Sequence, residues 1–191
     1  MFRLCVVTMV TRSPRFNINL LGPVLLLLIL TSCATAGSKS EKEIATLRVH
    51  LEVNPDGSDR NSRVPIYRAK PILLNVEKSP FVNESDVAQA SLVDEMGGFK
   101  IVIQFDTRGT RLLEQFSATN PGKHLAIAAQ FGEKLKQNRW LAAPLISHRI
   151  ADGTLAFTPD ATRDEAETIV RGLNNVAIKN GNQKKPKATP K

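Results

Sequence analysis

"GTRLLEQFSATNPGKHLAIAA", Gly109–Ala129, changes its hydrophobic period halfway along, and that change decides the fold class. The first half spaces Leu112, Leu113 and Phe116 as one inward stripe of an amphipathic helix. Asp106 or Thr107 can cap that helix through a side-chain oxygen, and Asn120-Pro121-Gly122 ends it. Beyond the stop, "HLAIAAQF" (His124–Phe131) is a short run of small apolar residues that reads as a strand. A helix and a strand joined by a tight turn place both element types in one folding unit.

Outward from this stretch the same mixture continues. Downstream, "GEKLKQNRW" is polar enough for an exposed loop or ribbon, "LAAPLISHRI" is expected to be extended, and Asp152-Gly153 turns the chain into "TLAF". Thr162 with Glu165 forms a capping box for a last helix, in which Ala166, Ile169, Val170 and Leu173 face inward. Upstream, "ATLRVHLEV" alternates, with Leu47, Val49, Leu51 and Val53 on one face of a half-buried strand. Val64 to Val76 reads as a second extended stretch interrupted at Pro71. Asn83, Glu84, Ser85 and Asp86 predict a short helix beginning near Ser85. "SLVDE" and "FKIVIQFD" then flank Met96-Gly97-Gly98 as a hairpin, with Ile101, Ile103 and Phe105 on one face. Hairpin-paired strands with interspersed helices argue for an α+β domain, a mainly antiparallel sheet with two or three helices on one face.

The amino-terminal region is of a different kind. Arg3, Arg12 and Arg15 precede the apolar run Leu20–Leu30, which contains Gly22 and Pro23. That run is shorter than the roughly 20 residues a membrane span needs, and with its basic flank it reads as a secretion signal over residues 1–32. Leu30-Thr31-Ser32-Cys33 resembles the bacterial lipobox, in which the cysteine receives a diacylglycerol and becomes the new amino terminus. The alternative is an ordinary signal with a chance cysteine at its end. Ala34–Glu43 is small and polar, as a flexible tether should be, and the tether is set at 33–44. Lipidation of Cys33 would anchor an exported protein to the cell envelope. Ala34 rather than aspartate implies the outer membrane, facing the periplasm, if the envelope is Gram-negative.

The net charge of +8 is confined to the ends. The signal region carries three arginines, and residues 179–191 carry five lysines, neither with any acid, so the body between is balanced. A neutral body without basic, aromatic-studded motifs gives no reason to expect nucleic acid. The Lys-rich tail cannot bury enough apolar surface to offset ordering entropy and is read as disordered. Lys184, Lys185 and Lys187 are candidate contacts for anionic lipid or wall polymer, the alternative being a solubilising end. Cys5 lies in the signal, which leaves no disulfide for the mature chain.

The motif order of Gly109–Ala129 is similar to a characteristic stretch of SecD, the bacterial export subunit, in the head of its first periplasmic domain. The family pattern G-A-x-x-F-A-x-L-T-x-x-N-x-G-x-x-L-A-I finds Gly109, Asn120, Gly122, Leu125, Ala126 and Ile127 in register. An S-A-P-V-I strand resembles Ala142-Ala143-Pro144-Leu145-Ile146, and an F-T-x-E-E-A helix start resembles Thr162, Asp164, Glu165 and Ala166 after Gly153. The likeness covers roughly residues 70–174 and implies the SecD P1-head fold over a domain set at 45–178. Departures are extra residues around "KLKQNRW", a missing D-G turn, Ala161 in place of phenylalanine, and Thr158-Pro159 in place of Ser-Gly. No run within residues 1–191 is expected to match the transmembrane helices through which SecD couples proton flow to pulling. The resemblance implies a fold and a binding habit rather than a pump.

For catalysis the sequence offers little. His50, His124 and His148 are far apart, without a cysteine partner for a metal set, and are expected at solvent-facing strand positions. Asp94-Glu95 end a strand, and Asp164-Glu165 suit the positive end of a helix dipole. There is no G-x-S-x-G, phosphate-binding glycine loop or H-E-x-x-H, so no catalytic residue, cofactor or metal is expected. Binding remains. Arg139, Trp140, Leu141 and Pro144 are the candidate contacts for a protein or unfolded polypeptide, Sec translocon components among the partners, if their strand lies at a sheet edge. The alternative for Trp140 is a side chain that covers the end of the core. From a different class comes a structural envelope lipoprotein whose basic tail contacts the wall.

Overall fold

The computed structural model describes residues 43–183. The signal 1–32, Cys33, most of the tether, and Lys184, Lys185 and Lys187 lie outside them. Among the described residues, nine strands form three antiparallel sheets. The largest has the order β4-β1-β7-β8, from Val82–Asn83, Thr46–Leu51, Leu125–Phe131 and Gln137–Ala142. A hairpin, β2-β3, joins Asn61–Ile66 to Ile72–Glu77, and a third sheet, β5-β6-β9, is built from Val87–Glu95, Gly98–Phe105 and Thr154–Phe157. Two α-helices among the described residues, α1 (Thr107–Thr119) and α2 (Arg163–Asn180), pack against them. The architecture is the expected antiparallel α+β type, but its strands divide among three sheets instead of one.

Local chemistry sets the helix ends. The Asp106 carboxylate accepts the Gly109 N–H at 2.8 Å and starts α1. Thr162 and Glu165 exchange the two bonds of a capping box at the start of α2, and Gly181 closes it in the left-handed conformation. Lys179 and Asn180 therefore belong to α2, two residues past the expected body boundary. At the other end Glu43 is no longer tether, since its carboxylate pairs with Arg171 at 2.9 Å. A Cβ on Gly172 would sit 2.6 Å from the Ala45 backbone nitrogen, so this glycine lets the incoming chain cross the helix.

The four-stranded sheet is covered on both faces. On one, Leu47, Val49, Leu125, Ile127 and Phe131 pack with β5-β6-β9, α1 and α2 in the main core. On the other, Ala126 and Ala143 meet Val64, Ile66, Leu74 and Val76 of the β2-β3 hairpin, with Tyr67 and Trp140 at the rim. Val64 to Val76 thus folds back at Pro71 as two strands of a separate ribbon.

Two expected elements differ. The cap at Asn83 is real, but the helix is one 3-10 turn, Glu84–Asp86, because residues from Val87 onward pair with β6. "LAAPLISHRI" is a strand only as far as Ala142, after which a single bridge, His124 to Leu145, keeps it beside the start of β7.

Gly109 has a steric reason. A Cβ there would lie 2.9 Å from the Cβ atoms of both Asp86 and Phe105, where α1 enters against the 3-10 turn. Asp86, only 2% exposed, is fixed by the Asn83 N–H and by Arg108. Gly109→Ala is expected to lower stability by about 1–3 kcal/mol through overpacking. Gly98→Ala, with open space around its Cβ, should change it by less than about 0.5 kcal/mol. Chemical denaturation of both variants checks this, and equal effects would contradict the close-approach explanation.

Candidate binding site

Strand β8 is where the two hydrophobic clusters meet, and its alternation divides them. Trp140 points to the hairpin cluster, while Leu141 is fully buried in the main core. Beside Trp140 lies His50, edge-on with ring centroids 5.1 Å apart. His50 is 6% exposed, contrary to the solvent-facing position expected for it, because the hairpin covers this face of β1. Its Nδ1 lies 2.8 Å from the Glu77 carbonyl of β3. A carbonyl only accepts, so Nδ1 carries the hydrogen. Burial pushes the His50 pKa down, with Arg48 adding to the effect, and outweighs the opposing Glu77 carbonyl bond.

A set of ion pairs locks the other side of the strand. Arg139 bonds Glu165 of the α2 capping box and the Gln137 side chain, and lies 5.1 Å over the Phe131 ring. The Arg139 contact holds the Glu165 carboxyl below the usual range against partial burial. Arg68 donates its backbone N–H (2.6 Å) and its Nε (3.2 Å) to the Asp160 carboxylate. Partial burial opposes ionisation of Asp160, but these bonds outweigh it and keep its pKa low. The Asp160 N–H in turn donates to the Leu141 carbonyl at 2.8 Å.

Tyr67 completes the joint with a backbone φ of +70°, an uncommon conformation for a bulky side chain. There its hydroxyl accepts the Ala143 N–H at 3.1 Å. The result is a shallow cleft of about 450 Å³, walled by Tyr67, Ala69, Thr158 and Pro159, with Lys70 and Asp160 at its mouth.

The four candidate contacts do not form one surface. Arg139 is tied to Glu165, Trp140 is half-buried against His50, and Leu141 has no exposed side chain. Pro144 instead lines a second cleft of about 350 Å³ together with Leu145, Ile146 and Ile150, facing strand β9. Sequence reasoning missed Tyr67, Arg68 and Asp160. Arg68 and Asp160 are 92 residues apart, and no local pattern couples them. Of the remaining histidines, His124 Nδ1 pairs with Glu52 at 2.7 Å and His148 Nδ1 lies 2.9 Å from Ser147 Oγ. Among the described residues no group of three or more His, Cys, Asp or Glu side chains is arranged to hold a metal, and no helix is long and apolar enough to cross a membrane.

Antiparallel sheets with two capped helices packed against them define a domain of the α+β class. Residues 61–179, more than half of the chain, match the model for the SecDF P1 head subdomain, and the chain belongs to that family. The protein translocase subunit SecD of Rhodothermus marinus is 28% identical over 126 residues, which cover 65% of this chain and 18% of that protein. The chain thus spans less than a fifth of that relative's length. A crystal structure of SecDF in a super-membrane-facing form superposes with a TM-score of 0.50 at 20% identity, over 69% of this chain and 19% of that one. A structure of SecDF described as a membrane component that enhances protein export gives a TM-score of 0.49 at 18% identity, over 70% and 63% of the two chains.

The buried His50 gives the joint a pH signature. The unfolded histidine titrates near about 6.5 and the folded one lower, so the unfolded state binds more protons in between. Stability from this group is complete above about pH 6.5 and falls as the pH drops through that value. Thermal unfolding between pH 7.5 and 5.5 should show a steeper loss for the wild type than for His50→Gln. Identical slopes would contradict the buried, neutral assignment.

Proposed function

We propose that this chain is an exported, lipid-anchored envelope protein whose P1 head domain holds an extended polypeptide or protein partner in a role related to protein export, without catalysis. Membership of the SecDF P1 head family over residues 61–179 carries the reading. The lipobox ending at Cys33 supports the anchor, with residues 1–32 as signal, a polar tether, the head domain, and the Lys-rich carboxyl end as a tail. The lipid on Cys33 would hold the domain at the membrane, in the outer membrane facing the periplasm if the cell is Gram-negative.

Within the head, Pro144 is the candidate contact that retains a cleft to offer. Arg139, Trp140 and Leu141 serve it from behind, by fixing the strand that leads into Pro144. A second reading rests on composition. Lys184, Lys185 and Lys187 suit an anionic lipid or wall polymer, which would make the protein a structural spacer.

A photoreactive residue at position 144, in the native envelope, separates the two. The expected captures are emerging secreted chains or translocon subunits, from the membrane fraction only, and Cys33→Ser should release the protein from that fraction. Capture of wall or outer-membrane components alone, or a Cys33→Ser protein that stays with the membrane, would contradict the proposal.

A further inference from the structure

Strand β9 ends the three-stranded sheet, and its hydrogen-bond phase is set by its pairing with β6. Phe105 donates its N–H to the Gly153 carbonyl at 3.0 Å. In an antiparallel ladder bonded pairs alternate with unbonded ones, so Gly153, Leu155 and Phe157 turn their backbone groups to β6. Thr154 and Ala156 turn theirs away. The Thr154 N–H is taken by Asp152 Oδ1 at 3.1 Å. Among the described residues, nothing bonds the Thr154 carbonyl or either backbone group of Ala156.

Across the 350 Å³ cleft lies Leu145, whose neighbours are both committed: the Leu125 N–H bonds the Pro144 carbonyl at 2.9 Å, and the Ile146 N–H bonds the Lys123 carbonyl at 2.8 Å. Leu145 therefore turns its own N–H and C=O away from β7, and the residue is 55% exposed. Ala156 also reaches solvent, while Leu155 forms part of the cleft wall.

We infer that the cleft between β9 and Leu145 receives an extended polypeptide as an added β-strand, bonded to the Ala156 N–H and C=O with an apolar side chain between Leu145 and Leu155. The inference rests on the proposed polypeptide-binding role and moves its site from β8 to β9. The occupant follows from the bonding pattern. A donor and two acceptors repeated along one edge are matched by another extended backbone, whose own groups recur at strand spacing. Strand edges are ordinarily blunted by charge, by proline or by shortness. Thr154–Phe157 carries no charge and no proline, and its four residues limit the pairing to a brief footprint. A footprint that short suits a chain that is held and released.

The test uses the full chain and a fluorescent, end-capped peptide of alternating Val and Thr closed by two lysines. Ala156→Pro removes an N–H that makes no bond in the fold, a change an edge strand tolerates, and should weaken binding on the order of tenfold. Circular dichroism should stay unchanged. Should that variant fail to fold, Leu145→Asp on the opposite wall gives the same readout. Undiminished binding in a folded variant overturns the site and leaves the polypeptide-binding reading standing. Failure of the wild type to bind the peptide overturns both.

Discussion

Strand Leu125–Phe131 is buried on both faces, and the other layers take their places from it. Its larger side chains, Leu125, Ile127 and Phe131, face the two helices and the three-stranded sheet. Its small ones, Ala126 and Ala128, let the β2-β3 hairpin lie close on the other face. Fully burying a Leu, Ile or Phe contributes about 1.5–3 kcal/mol each. Those contacts require the strand to sit between two layers, and three features follow. His50 is enclosed, Trp140 is drawn into the rim of the hairpin cluster, and β8 is closed by Asp160 at Leu141.

What could be read in advance was what neighbouring residues decide. The alternation Leu47, Val49, Leu51 and the stripe Leu112, Leu113, Phe116 appear as expected, as do the caps at Asp106 and Thr162. The Asn83 cap was equally legible, but it opens a single turn, since the stretch that follows gains more from the β6 ladder than from a longer helix. His50 shows the limit. Its alternation placed it outside, and the hairpin that covers it lies 27 residues away at Glu77. Strand periodicity says which residues share a face, but not whether a second layer covers that face.

The candidate site was legible only as a region. Residues 139–142 belong to β8, an outer strand of the large sheet. The ion pairs that occupy Arg139 and the enclosure of Leu141 depend on partners distant in sequence, in α2 and in the main core. The stretch of open backbone beside the Pro144 cleft lies on β9, where "TLAF" is too short and too plain to signal an edge. The hairpin tip, the 158–160 loop and the start of α2 brace β8, so the domain offers a rigid frame with a narrow gap in it. Such a frame suits the polypeptide-holding role proposed for the chain.

Residue-resolved amide hydrogen exchange on the full chain tests this frame most directly. The Leu125–Phe131 amides should exchange only through global opening. Along β9 the amides should alternate, with Leu155 and Phe157 slow and Ala156 fast. An Ala156 amide as protected as its neighbours would mean that the edge is closed, and rapid exchange through Leu125–Phe131 would mean that the central strand is not enclosed.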